Sequence, residues 1–304
     1  MKHSGRKKGF QLNNQTKAYS YTAVTILLWS TVASAFKIAL SEISFVQLLF
    51  WASFASLLSL SFVILVQHKT NRLKQLSYSD YLYSALLGLL NPTLYYLILF
   101  KAYDVLPAQE AQPLNWTWPV TLTLLSALFL KQKLTVKSLV AVLVSFSGVL
   151  VIATRGDITG LKLSNPMGDV LAIGSSLFWA TFWILNLRDK RDPVIKLFYC
   201  FLFGSIFNLA IIFISGNLVF PGWKGLAGSA YVGLFEMGIT FVLWLKALDL
   251  SRDSASVGVL AYMTPFLSLI FIHFVVGETI LLSSIGGLVL IVAGIMLQVT
   301  GRKG

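Results

Sequence analysis

Two glutamates, Glu110 and Glu236, stand within long apolar stretches, where a carboxylate is costly unless something solvates it. Glu236 lies at the centre of the apolar stretch 225–247. A charged side chain at the middle of a membrane helix costs roughly 2.5 to 3.5 kcal/mol on insertion scales, so such residues face a bundle interior or a pathway. A carboxylate at that depth can meet an ammonium group, exchange a proton, or bond a neighbouring helix as structural glue. Glu110 lies about one turn inside 108–130, where a pathway role and an interfacial role both stay open. That stretch also carries Gln109, Gln112, Asn115 and Thr117. At about 100° per residue these side chains point to several sides, which requires protein or a water-filled cavity around the helix. Trp29 lies too deep for an interfacial belt, and Trp29, Trp179 and Trp183 each fit a cavity wall or a lipid-facing filler. Pro119 and Pro265 fall near the middle of their stretches, where each removes a ladder hydrogen bond and supplies a bend or a hinge.

Other chemistries lack their parts. No Walker A pattern is present, so a nucleotide-driven motor would be a separate chain. The histidines His3, His68 and His273 are scattered, which argues against a metal site, and no cofactor is expected. The serines within the spans have no nearby histidine and read as interhelical hydrogen-bond formers rather than nucleophiles. Cys200 is the single cysteine, so no intrachain disulfide can form. An enzyme is not expected.

The elements that must position these residues follow from composition. With 56% apolar and only 12% charged residues, the chain reads as an all-α integral membrane protein. Ten spans are predicted at 18–40, 44–66, 80–103, 108–130, 138–154, 166–187, 194–215, 225–247, 254–276 and 280–300. Most reach the roughly 20 residues that a helix needs to cross the hydrocarbon. Their continuous apolar runs exclude a barrel, which would alternate. Lys101, Ala102 and Asp104 recur 145 residues later as Lys246, Ala247 and Asp249. Pro119 recurs as Pro265 and Gly148 as Gly294, both 146 residues on, and Trp29 recurs as Trp179, 150 residues on. The ten helices are therefore expected as two inverted five-helix repeats, 18–154 and 166–304. A basic tail, 1–17, precedes them, and an extracytoplasmic linker, 155–165, joins them. An odd number of crossings turns the second copy over, and inverted repeats place a binding site near the midplane where they meet.

The net charge of +12 does not indicate nucleic acid, because its placement is one-sided. The tail and the loops after the even-numbered spans hold 19 of the 24 lysines and arginines, with Arg188, Lys190 and Arg191 the clearest group. The positive-inside rule puts both termini in the cytoplasm of a multi-pass inner-membrane protein, with span 1 retained. Membrane lipid is the expected partner of the basic clusters.

These residues resemble the drug/metabolite transporter superfamily, in its ten-helix branch with two EamA-type repeats. Glu110 followed by Asn115-Trp116-Thr117-Trp118-Pro119 is similar to the Glu, Asn-aromatic-x-Trp-Pro stretch of bacterial aromatic amino acid exporters. Leu28-Trp29-Ser30-Thr31, with Lys37 following, is similar to their first helix, and Tyr262-Met263-Thr264-Pro265-Phe266 to their ninth. The chain departs from the repeat pattern at Lys131-Gln132, where Gly-Glu is usual. The second half keeps Gly277-Glu278, an ending expected at the membrane surface and tied to topology more than to chemistry. Asn91-Pro92 and Tyr95-Tyr96 of span 3 also differ from the exporter pattern.

The resemblance implies a secondary transporter working by alternating access in the direction of export, with a cavity formed by spans 1, 3, 4, 6, 8 and 9. Charge matching favours amino acids, aromatic ones included, or related amines as the small-molecule cargo. Glu236 and Glu110 would meet an ammonium group, and Lys37 would steer a carboxylate. Trp29, Trp118, Trp179 and Tyr95 would cover an apolar side chain or a cation. Asn91, which aligns with Glu236 at the 145-residue offset, and Asn115 complete the expected binding set, with Pro119 and Pro265 as hinge or gate. The alternatives are proton-coupled antiport of cationic drugs and, from another class, a lipid scramblase or a structural membrane protein. A monomer is expected, since one chain holds both halves.

Overall fold

The computed structural model describes residues 13–130, 136–157, 159, 163, 165–251 and 254–301. Most of the basic tail, Lys131-Gln132, Lys162 and the last three residues lie outside the described set.

Each expected span is mostly helical among the described residues. Six helices are long and apolar enough to cross a membrane: Asn14–Leu40, Phe45–Val66, Tyr78–Val105, Pro166–Arg188, Pro193–Ile214 and Trp223–Leu250, which are spans 1, 2, 3, 6, 7 and 8. Val136–Ala153 and Leu282–Gly301 form spans 5 and 10. Their starts are set by local chemistry. Ser44 and Gln47 form a reciprocal cap at span 2, as Ser77 and Asp80 do at span 3. Asn165 and Asp192 cap spans 6 and 7, each followed by proline at the first helical position, where a missing N–H costs nothing. Span 9 ends at Gly277, whose φ of 81° suits glycine. Large apolar side chains such as Phe62, Leu128 and Phe213 are exposed on the outside of the bundle, the surface that lipid covers.

Four of the described spans, 3, 4, 8 and 9, are interrupted near their middles. Span 4 is split into Ala108–Asn115 and Trp118–Leu130, and span 9 into Ser254–Ala261 and Met263–Val276. The prolines explain both breaks. Pro119 cannot donate to the Asn115 carbonyl, nor Pro265 to that of Ala261, so each proline starts a new helical segment instead of bending an old one. Spans 3 and 8 are each interrupted at mid-depth: span 3 kinks within Leu89–Leu94, where Asn91 ahead of Pro92 leaves helical geometry (φ −148°, ψ 118°), and span 8 opens into a π-helical segment at Gly233–Gly238. Such segments add a residue to the turn and frequently mark functional sites.

The packing repeats with the halves exchanged. Span 1 packs on spans 8 and 9 as span 6 packs on spans 3 and 4, span 2 meets span 8 as span 7 meets span 3, and spans 5 and 10 pair with each other. Equivalent glycines make equivalent contacts. Gly88 lies against Cys200 and Gly204 with no room for a Cβ, and Gly233 does the same against Ala52 and Ser56. Ion pairs establish the inversion. Asp192, in the loop after span 6, meets Lys69 at 2.8 Å and Arg72 at 2.9 Å in the loop after span 2. Glu42, after span 1, meets Lys224, before span 8, at 3.7 Å. The first loop of one half thus shares an end with the second loop of the other, as antiparallel copies require. The loops after spans 2 and 6 form what we call the basic end, and the loops after the odd-numbered spans form the far end.

Candidate functional site

Between the halves lies a cavity of about 410 Å³, walled by spans 1, 3, 4, 6, 8 and 9. Glu236 reaches it from the π segment of span 8 and is 8% exposed. Its Oε1 accepts a hydrogen bond from the Tyr96 hydroxyl at 2.9 Å, and its backbone carbonyl accepts from Trp29 Nε1 at 3.2 Å. Tyr96 uses only one of the roughly four acceptor positions of the carboxylate.

Aromatic rings make most of the remaining wall. Trp29 packs on Trp244 with centroids 5.5 Å apart, and Tyr95 lies 4.7 Å from Trp179, which in turn meets Trp183 at 5.7 Å. Trp116 and Tyr262, at the breaks of spans 4 and 9, face each other at 6.5 Å. Polar groups form two rungs. The Tyr95 hydroxyl donates to Asn115 Oδ1 at 3.2 Å, and Asn115 Nδ2 donates to Ser175 at 2.9 Å. The Tyr103 hydroxyl donates to Gln112, whose amide donates to Ser268 at 3.1 Å. Among the described residues lining the cavity, Glu236 is the only ionisable carboxylate and no lysine or arginine appears. A carboxylate surrounded by aromatic faces suits a cation, which gains charge pairing and cation–π contact together.

Glu236, Asn115, Tyr95, Trp29, Trp118 and Trp179, all in the expected binding set, are therefore brought together around one cavity. Three expected partners are elsewhere. Lys37 donates to the carbonyls of Tyr103 and Leu106 at 2.9 and 3.0 Å, closing the carboxyl end of span 3, where a cation is favoured. Glu110 is 1% exposed, with its Oε1 2.6 Å from Nε of Arg155 at the far end. Asn91 is fully buried outside the cavity wall, and neither of its amide atoms has a hydrogen-bond partner among the described residues. Pro119 and Pro265 stand next to the breaks rather than in the wall. Gln112, one of the polar residues that set span 4 apart, also lines the cavity, whereas Tyr96 and Trp244 were missed, because apolar or amphipathic residues in a span give no sign of the face they occupy.

The two ends of the cavity differ. Toward the basic end the wall continues through Leu122, Leu187 and Gly258, all partly or largely exposed. Toward the far end it stops at Phe36, Leu99 and Tyr103, each at most 2% exposed. Beyond them, Glu278 spans the halves. Its carboxylate accepts from the backbone of Ala108 at 2.7 Å and of Gln109 at 3.1 Å, capping span 4. The Gln109 side chain returns hydrogen bonds to Thr279, Leu281 and Ser284 at the start of span 10. The surface ending expected to matter mainly for topology is thus a contact between repeats.

The profile of the EamA-like transporter family matches this sequence twice, at residues 16–154 and 166–300. An uncharacterized transporter of Archaeoglobus fulgidus is 29% identical over 288 residues, covering 93% of this chain and 97% of that one. The aromatic amino acid exporter YddG of Ancylobacter novellus is 25% identical over 177 residues, 57% of this chain and 61% of the exporter. A crystal structure 19% identical in sequence matches with a TM-score of 0.64 over 93% of this chain and 96% of that one, a likeness of fold.

Proposed function

Because the chain belongs to the EamA-like transporter family, whose members are multi-pass membrane carriers of small molecules, we propose that it moves amines or amino acids, aromatic ones included, by alternating access. The observation that carries this reading is the Glu236 carboxylate, held by Tyr96 and set among tryptophans, in a cavity wall without a basic side chain among the described residues. An ammonium group would pair with Glu236 while an aromatic or aliphatic body covers the Trp29, Trp179 and Trp244 faces. Because Lys37 is engaged by backbone carbonyls, a cargo carboxylate would find neutral donors such as the amides of Asn115 and Gln112. The cavity's reach toward the basic end is the conformation that loads from the cytoplasm if the basic end lies inside, as the distribution of lysine and arginine favours. Export across the inner membrane, by a monomer with cytoplasmic termini, follows on that reading. The likeness to an aromatic amino acid exporter supports it.

A second reading, proton-coupled antiport of cationic drugs, gains from the withdrawal of Lys37, since a cation that carries no carboxylate of its own needs no basic partner. A thermal-shift screen of the purified protein against amino acids, amines, nucleosides and sugars tests the substrate class. Stabilisation by ammonium-bearing compounds alone is expected, and stabilisation by sugars or nucleosides alone would rule the proposal out. Transport in liposomes under an imposed pH gradient then separates the readings, because uniport is indifferent to a gradient that drives antiport.

A further inference from the structure

At the far end, one buried carboxylate takes no part in the contacts described above. Asp169 lies in the first turn of span 6 and is 4% exposed, and neither of its oxygens has a hydrogen-bond partner among the described residues. Its charged neighbours are Glu110 of span 4 and Arg155 of the linker. The Arg155 guanidinium is turned toward Glu110, with Nε 2.6 Å from Oε1. On the adjoining end of span 3, Val105 and Leu106 pack against Gly168. Elsewhere at this end, Lys37 is committed to the Tyr103 and Leu106 carbonyls and Glu278 to the Ala108 and Gln109 amides. A carboxylate withdrawn from water without a donor is costly, and a cation placed against it removes that cost.

Asp169 also occupies a place on the route. Asp169, Ala172, Ser176 and Trp179 follow at helical spacing on one buried face of span 6. Trp179 lines the cavity, and at about 1.5 Å of rise per residue Asp169 lies roughly 15 Å farther along the axis. The Tyr95–Asn115–Ser175 rung lies between them, since Ser175 belongs to the same helix.

We propose that Asp169 is a second cation subsite, which receives the ammonium group of the cargo after it leaves Glu236, when the far end opens. The ligand class is an organic ammonium, and the inference rests on the cargo reading given above. The test uses the full chain in proteoliposomes with L-phenylalanine as the probe. Binding is read from cavity tryptophan fluorescence, and exchange from radiolabelled counterflow. Asp169→Asn is expected to bind L-phenylalanine like the wild type but to exchange it about tenfold more slowly, the loss of one charge-assisted contact. Asp169→Glu is expected to restore most of the exchange. Unchanged exchange in Asp169→Asn would overturn the subsite, as would an Asp169→Glu variant as slow as Asp169→Asn, which would mark a packing role. A wild-type protein that gives no fluorescence response and no exchange would remove the cargo reading itself, and the subsite with it. Binding retained by Asp169→Asn also shows that this variant is folded.

Discussion

Spans 3 and 8 hold equivalent places in the two repeats, and each opens its backbone ladder at the same depth, at Leu89–Leu94 and at Gly233–Gly238. Both bring a glycine against the neighbouring repeat, Gly88 on span 7 and Gly233 on span 2. They differ in the side chain at the opening. Span 8 presents Glu236 to the cavity, where Tyr96 of span 3 donates to it. Span 3 carries Asn91, fully buried away from the wall, with both amide atoms unpartnered among the described residues. The symmetric scaffold thus supports one-sided chemistry: duplication supplies two openings at mid-depth, and one holds the charge that can select a cation.

The largest expected effect tests that asymmetry directly. Glu236→Gln is expected to lower cargo exchange by at least about tenfold, by removing a charged partner. Asn91→Leu, which replaces an unpartnered buried amide with an apolar group, should change exchange little and leave melting temperature equal or higher. Equal losses from the two variants would show that both openings carry chemistry. The scaffold's symmetry is tested by Gly88→Ala and Gly233→Ala. Each places a methyl against facing backbone and is expected to cost about 1 to 3 kcal/mol of stability, with similar values at the two sites. A large effect at only one site would mean that the repeats do not pack alike. Tyr96→Phe removes the hydrogen bond from span 3 to Glu236 and is expected to weaken cargo binding by roughly fivefold, the worth of about 1 kcal/mol, without altering the fold.

The smallest effect concerns the loops that hold the halves together. Burial raises the Asp192 pKa, but the Lys69 hydrogen bond and charge and the Val194 and Ile195 amides outweigh it, leaving the carboxyl below its ordinary value. A carboxyl whose pKa is lowered on folding contributes stability that is fully present above the unfolded value of about 3.9. That contribution is lost as pH falls through the lower folded value. Melting temperature should therefore show no pH dependence from Asp192 between about pH 5 and 8, and decline below about pH 4. Asp192→Asn should lower the plateau. Its counterpart Glu42→Gln, removing a more exposed pair, should shift melting temperature by less, and the reverse order would contradict the assignment of contacts.

Much of this was legible in the residues. Repeated Lys-Ala-x-Asp, proline, glycine and tryptophan positions revealed the two halves, because duplicated packing constraints leave equivalent residues in place. The depth of Glu236 in apolar sequence marked it, since nothing else in that stretch could solvate it. The π segment of span 8 was not legible, for it is a backbone choice made by packing with only glycines nearby, whereas the kink of span 3 carries Asn91-Pro92 as its mark. Lys37 was misjudged because sequence does not show that span 3 ends beside it with carbonyls to satisfy. Glu278 was read as a surface ending because its partners, the amides of Ala108 and Gln109, are about 170 residues away in the chain. Adjacent Tyr95 and Tyr96 gave no hint that one would meet Asn115 and the other Glu236.

The most direct test of the central claim is a tryptophan-fluorescence titration of the purified protein with phenethylamine and with its neutral counterpart 2-phenylethanol, in the wild type and in Glu236→Gln. The account predicts a saturable response to the amine alone, lost in the variant. Equal responses to amine and alcohol, or an amine response that survives Glu236→Gln, would contradict it.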